Sequence, residues 1–303
     1  MKNFIYSSQA KKAINEHSPI VALESTVITH GLPQPINYEV ALAMENEVLK
    51  ENATPATICL IDGAIHVGID NDELKTLSQA TNSVKVSRKD IAYAVSFGLN
   101  GGTTVSGTMT VAHAAGIKVF ATGGIGGVHR GNSFDVSSDL PTLARIPMIV
   151  VCSGAKAILD IPATKENLET NGVPILGYKT NELPAFYSIH SGIKVDRQVN
   201  SAEEIVSIAL NQWKLGLSSA LLVTVPPPSD LEIPASQVEM QIKEALEEAK
   251  KSSISGPAIT PFLLLRVNEI TKGKSMRVNI ALLKNNARIA AKIAVALSLA
   301  VNS

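Results

Sequence analysis

The stretch "MIVVCSGAKAILD", residues 148–160, decides how the chain reads. Its first five residues are apolar without alternation, as in a strand covered on both faces. Ser153, Gly154 and Ala155 then turn the chain with small side chains. Lys156 follows, and Ala157, Ile158 and Leu159 are apolar again. Such a lysine is either a helix-start residue whose amine reaches water or an amine held in a pocket for chemistry. At a helix start it would face the positive end of the helix dipole, which disfavours its charged form. Burial acts in the same direction, and a neutral amine is what Schiff-base chemistry needs.

Similar apolar runs lie at 20–26 (IVALEST), 57–62 (TICLID), 118–124 (KVFATGG), 174–180 (PILGYKT) and 219–225 (SALLVTV). Helical patterns separate them. Residues 37–50 put Val40, Met44 and Val48 on one face. Ser201 and Ser236 each precede a glutamate by three residues, the capping-box signature. Residues 279 to 301 read as one long helix, with Asn279 opening it as cap or ligand contact. The alternation predicts an α/β/α sandwich around a central mixed, largely parallel sheet. No linker or repeat demands a second domain, so residues 1–303 are expected to form one.

The chain carries 27 Lys plus Arg against 27 Asp plus Glu. This balance gives no global attraction to nucleic acid or to an anionic membrane. Cys59 and Cys152 both fall in apolar strand-like runs and read as small core residues. The N-terminus lacks a signal-peptide pattern. The most apolar segment, 289–301, is short and carries Lys292, which fits a buried helix. A soluble, reducing, cytoplasmic setting is expected.

Polar residues gather at the ends of the apolar runs, where open α/β sheets bind ligands. Glu24 ends one run, Thr122 another, and Lys156 follows a third. A partly desolvated Glu24 can act as general acid or base; otherwise it is a solvated carboxylate. "GGTTVSGTM" (101–109) leads into a helix and either receives an anion or packs closely through small residues. "ATGGIGGVHRGNSFDVSSDL" (121–140) is a long polar loop. In it Asp135 and Asp139 can bind a hard cation, and His129 and Arg130 can meet a phosphate. A solvated loop is the plain alternative. "KVSRKD" (85–90) is a solvated basic face or, through Lys85, a phosphate contact.

Together these segments resemble the pseudouridine-5′-phosphate glycosidases, also called indigoidine-synthase-A-like proteins. The matching stretches are ALESTVITHGLP, KVSRKD, GGTTVSGTM, GGIGGVHRG, FDVSSDL, VVCSGAKAILD and TPFLLLRVNEITKGKSMRVNIALLKNNA. They follow the family's order across nearly the whole chain. The resemblance implies cleavage of the carbon–carbon bond of pseudouridine 5′-phosphate, reversibly, to ribose 5-phosphate and uracil. Lys156 matches the lysine that forms an imine at ribose C1′, and Glu24 the proton donor and acceptor. Lys85, Val105 and Ser137, Ser138 and Asp139 match substrate contacts; Thr122, His129 and Asn279 sit in matching motifs beside them. Asp135 matches the ligand of one Mn²⁺ per subunit, and the family is typically a homotrimer. The stretch between Gly131 and Phe134 is shorter than usual there, and Gly107 and Ser138 replace common alanines. The phosphorylated substrate is expected from a separate kinase. Two other readings are a non-catalytic sugar-phosphate-binding accessory protein and another Schiff-base sugar-phosphate lyase.

Overall fold

The computed structural model describes residues 4–252, 254 and 259–302. A mixed, largely parallel sheet forms its centre. Its backbone is the parallel run β3 (Thr54–Ile61), β2 (Ile20–Leu23), β7 (Val119–Ala121), β10 (Ile149–Cys152), β14 (Leu221–Thr224), β12 (Ile175–Tyr178) and β13 (Arg197–Val199). On the other side of β3 lie β4 (Ala64–Val67) and then β1 (Phe4–Tyr6). β6 (Gly101–Thr103) also pairs antiparallel with β3, and β5 (Val84–Val86) runs parallel to β6. A second, three-stranded sheet joins β8 (Val128–His129) to β9 (Asn132–Val136) and to β11 (Leu159–Asp160).

The apolar runs become strands because both of their faces are covered. Every residue of β7, β10 and β14 is buried, which removes the alternation seen in half-exposed strands. Cys59 and Cys152 lie fully buried in β3 and β10. The helices are α1 (Ser8–Asn15), α2 (Ile36–Lys50), α3 (Asn71–Gln79), α4 (Ile91–Ser96), α5 (Val105–Ala114) and α6 (Asp139–Leu143). They continue as α7 (Ile161–Thr170), α8 (Ala202–Lys214), α9 (Ala235–Lys251), α10 (Ile259–Ile270) and α11 (Lys274–Asn302). α11 packs on α2 and α8 and on β2, β7 and β10, while α5 packs on β2, β3 and β4.

Several local expectations change. Ser201 does cap α8, accepting from the Glu204 N–H at 3.2 Å, but the Glu204 carboxylate accepts from Asn200 N–H instead of from Ser201. Ser236 is no cap. The carbonyl of Pro234 already accepts from Gln237 and Val238, so α9 starts at Ala235. Asn279 does not open the last helix. Lys272 and Gly273 both have positive φ and break the chain there, so α11 begins at Lys274 and Asn279 lies in its second turn. Lys156 does not start a helix either. It sits in a turn before β11, and α7 begins only at Ile161. The helix-dipole argument for its amine therefore falls.

Candidate active site

Since β2, β7 and β10 are parallel neighbours, their carboxyl ends lie side by side, the location where α/β sheets place ligands. Glu24 leaves β2, Thr122 leaves β7, and Ser153 leaves β10. The chain after Glu24 is stitched into the neighbouring strands. Ser25 Oγ donates to the Ile58 carbonyl and accepts from Thr103 N–H at 2.9 Å, and Thr26 Oγ1 donates to the Gly102 carbonyl at 3.2 Å. A side chain at position 102 would meet the Ser25 carbonyl oxygen at 2.9 Å, so this approach needs glycine. Beyond it, Val27–Gly31 forms a π-turn that carries His30 to the cleft edge, a feature frequent at functional sites.

Glu24 is 6% exposed. Its carboxyl pKa is raised, first by desolvation; the positive charge of Lys156 and the hydroxyl of Thr122 oppose this in part. Thr122 is fully buried and donates to Glu24 Oε1. Its contact is with the carboxyl group, which makes it a support for Glu24. Lys85, on β5, is an exposed residue that lines the cleft. Its amine pKa is lowered by partial desolvation and then by Lys156, against the carboxylates of Asp139 and Glu24.

The Lys156 turn is held from several directions. Its N–H donates to the Ile125 carbonyl at 3.1 Å, and its carbonyl accepts from Leu159 N–H at 2.9 Å. Gly154 adopts φ +83°, and a Cβ there would collide with the Pro184 carbonyl oxygen, so the turn requires glycine. Arg130 points away from the phosphate role expected for it. Its Nε donates to the Leu159 carbonyl at 3.0 Å and its Nη2 to the Ala157 carbonyl at 3.2 Å, while Nη1 pairs with Glu239. It braces the turn from behind.

These groups enclose a cavity of about 470 Å³ whose wall includes Glu24, Lys85, Val105, Ser137, Ser138 and Lys156. Hydroxyl groups collect at one end. Ser106 Oγ lies 3.0 Å from Ser138 Oγ and 3.1 Å from Thr104 Oγ1. Thr104 caps α5 by accepting from Gly107 N–H at 3.3 Å. Lys89 adds a third amine to the wall. Asp139 lines the same cavity but is 5% exposed, and both its oxygens are occupied. Oδ1 accepts from Ser106 N–H at 2.9 Å and Oδ2 from Gly126 N–H at 2.8 Å. Its carboxylate fixes the start of α5 to the glycine-rich loop. Ser137 Oγ in turn accepts from Asp139 N–H at 3.2 Å.

A smaller cavity of about 60 Å³ shares Glu24, Lys85 and Lys156 with the first. Asn279 reaches it from α11, beside Phe186, Leu264 and Leu283. Phe186, Leu264 and Leu283 carry no local signal of a site; they arrive through long-range packing. His129 and Asp135 face the larger cavity from the β8–β9 hairpin, with Nδ1 and Oδ2 3.5 Å apart. Among the described residues no group of three or more His, Cys, Asp or Glu is placed so that it could hold a metal ion. One imidazole nitrogen and one carboxylate oxygen could hold a divalent ion only with water completing most of its shell.

Fold and site together define an α/β protein with a lysine–carboxylate pair at the carboxyl edge of a parallel sheet. The chain belongs to the indigoidine synthase A like family, whose model matches residues 9–296. It is 48% identical over 301 residues to the pseudouridine-5′-phosphate glycosidase of Caldanaerobacter subterraneus subsp. tengcongensis, covering 98% of both chains. It is 50% identical over 292 residues to that of Dinoroseobacter shibae, covering 96% of each. Among solved structures, an indigoidine synthase A-like protein from Thermotoga maritima superposes with a TM-score of 0.90 at 34% identity, over 98% of this chain and 97% of that one. The prealnumycin C-glycosynthase AlnA, solved with ribulose 5-phosphate, gives 0.92 at 34% identity over 100% and 99%.

Proposed function

We infer that the chain is a pseudouridine-5′-phosphate glycosidase, which adds water across the C1′–C5 bond to yield ribose 5-phosphate and uracil, reversibly. The observation that carries this reading is the pairing of a buried Glu24, its carboxyl pKa raised by desolvation, with Lys156 across one cavity. A carbon leaving group responds poorly to the two-carboxylate route of ordinary glycosidases; an amine nucleophile offers another path. The Lys156 amine bonds to C1′ as the C1′–O4′ bond breaks and O4′ takes a proton. The C1′–C5 bond then breaks, its electron pair stays on C5, and C5 takes a proton. This leaves an imine between Lys156 and the open sugar. Water hydrolyses the imine, releasing ribose 5-phosphate and restoring the amine. Glu24 is the group suited to carry these protons.

The phosphate end is assigned to Lys85 and the hydroxyls of Ser137 and Ser138, beside the start of α5. Val105 and Thr104 complete that wall. Asn279 is assigned to the uracil end, in the smaller cavity. Asp135, with His129, would hold Mn²⁺, which when bound supplies Lewis-acid polarisation and orientation of substrate oxygens. A homotrimer is the assembly expected from the family, to be read by light scattering. No helix of the described residues is long and apolar enough to cross a membrane, in keeping with a cytoplasmic enzyme of nucleotide breakdown.

The test is uracil release from pseudouridine 5′-phosphate, combined with borohydride trapping and peptide mass analysis. A reduced sugar adduct on Lys156 together with uracil is expected. Aldehyde release without uracil would point to a different Schiff-base lyase, and binding without turnover to an accessory protein.

A further inference from the structure

α11 crosses the exits of β7 and β10, and there it buries an amide. Asn286 is 1% exposed. Its helical neighbours on the same face are Leu282, Leu283, Ala287 and Ala290, all buried, so an apolar side chain would suit the packing alone. Instead Asn286 Nδ2 donates to the Thr122 carbonyl at 2.9 Å and approaches the Gly123 carbonyl at 3.4 Å. It also lies 3.1 Å from Ser153 Oγ, which donates back to Asn286 Oδ1 at 3.3 Å. Both ends of one amide are therefore spent on two strand exits. A buried amide is costly unless paired, and here all its pairing goes to the site.

The two exits lead to the two reactive side chains. Thr122 donates its hydroxyl to Glu24. Ser153 starts the turn that carries Lys156, and its own N–H donates to the Gly123 carbonyl at 2.9 Å. We propose that Asn286 is a positioning residue that sets Glu24 and Lys156 in mutual register, so that acid/base group and nucleophile depend on one amide. The proposal rests on the functional reading above. Its physical basis is that a nucleophile and a proton donor must hold a reactive geometry together, and that small misplacements cost large factors in rate.

The test compares Asn286→Ala and Asn286→Asp with Thr122→Val and Ser153→Ala in the full chain. Three readouts are taken: kcat and KM for pseudouridine 5′-phosphate, the pH profile of kcat, and the rate of borohydride trapping of Lys156 by ribose 5-phosphate. Wild-type turnover is measured first, so a failure of the functional reading appears before any variant is made. Asn286→Ala should lower kcat roughly 100-fold with KM changed less than about threefold. It should also move the pH limb of Glu24 upward, because Thr122 no longer holds its hydroxyl in place, and it should slow trapping. Thr122→Val keeps the backbone carbonyl that Asn286 bonds and should move only the pH limb, whereas Ser153→Ala should slow trapping and, through the loosened amide, also shift the pH limb by a smaller amount. Wild-type pH limb and trapping rate in a folded Asn286→Ala would overturn the proposal, whatever its kcat. If neither Asn286 variant folds, Ser153→Ala decides, because it removes a side-chain partner of the Asn286 amide and leaves Thr122 and Glu24 unaltered. A shift of the Glu24 pH limb in that variant is expected; an unshifted limb would reject the coupling.

Discussion

The carboxylate of Asp139 receives Ser106 N–H at 2.9 Å, and its second oxygen receives Gly126 N–H at 2.8 Å. A negative charge thus sits at the start of α5 and beside the glycine-rich loop, in the wall of the cavity. It adds to the raised pKa of Glu24 and offsets part of the lowering at Lys85. Asp139→Asn leaves one backbone N–H facing an amide NH₂. An unsatisfied buried donor costs about 1–3 kcal/mol, and urea unfolding should show a loss of that size. A stability within experimental error of wild type would contradict the clamp.

Glu24 gives a pH dependence of known sign. Its folded pKa is raised by desolvation. The stability associated with its protonated form is present below the unfolded carboxylate pKa and is lost as pH rises through the folded pKa. Glu24→Gln removes that loss, so the variant should gain stability relative to wild type as pH rises through this window. Its turnover should fall about 10²- to 10⁴-fold. Paired denaturation curves and uracil-release rates across pH check both halves.

Lys85 is expected to act on the charged end of the substrate. Lys85→Ala should raise KM roughly 10- to 100-fold, the size of a lost charge-assisted bond. The same change should leave the response to unphosphorylated pseudouridine nearly unaltered. An equal loss with both compounds would remove Lys85 from the phosphate end.

Arg130 carries a prediction readable without substrate. Its guanidinium joins the carbonyls of Ala157 and Leu159 to Glu239. A lysine cannot span three acceptors in that planar arrangement. In Arg130→Lys the Leu159 amide, which bonds to the Lys156 carbonyl, should exchange its hydrogen faster. Exchange at wild-type rates would show that the turn does not need the brace.

The metal proposal is checked by Mn²⁺ electron paramagnetic resonance. Asp135→Ala should weaken binding at least tenfold, and His129→Ala by a smaller factor. Full-strength binding to Asp135→Ala would move the site elsewhere.

Much of the fold is legible in the sequence because it rests on local pattern. All six apolar runs contain strands of the central sheet, and Glu24 and Lys156 at their ends do meet around one cavity, with Thr122 buried behind Glu24. The failures come where local rules compete with longer-range ones. The Ser236 signature is overridden by Pro234 two residues earlier, and the start of α11 is set by positive φ at Lys272 and Gly273. Arg130 beside His129 suggests an anion pair, yet β8 ends at His129 and Arg130, in the turn that follows, is drawn to the carbonyls of Ala157 and Leu159 and to Glu239 of α9. Asn286 had a usable signal, an amide in the apolar period of Leu282, Leu283, Ala287 and Ala290. Phe186 had none, since only the packing of the loop around Gly154 brings it to the cleft.

The small three-stranded sheet divides the site mechanically. β11 meets the hairpin through Leu159 opposite His129 and Asp160 opposite Val128, whereas Glu24 and Thr122 hang from the large sheet. Gly131, at positive φ, and the exposed Phe134 form the hairpin tip, and neither lines the cavity that holds the two reactive side chains. Insertions or deletions at that tip can therefore accumulate during evolution while amine and carboxyl stay in place. What such length changes would retune is the spacing of His129 and Asp135, and with it the choice and grip of the metal ion.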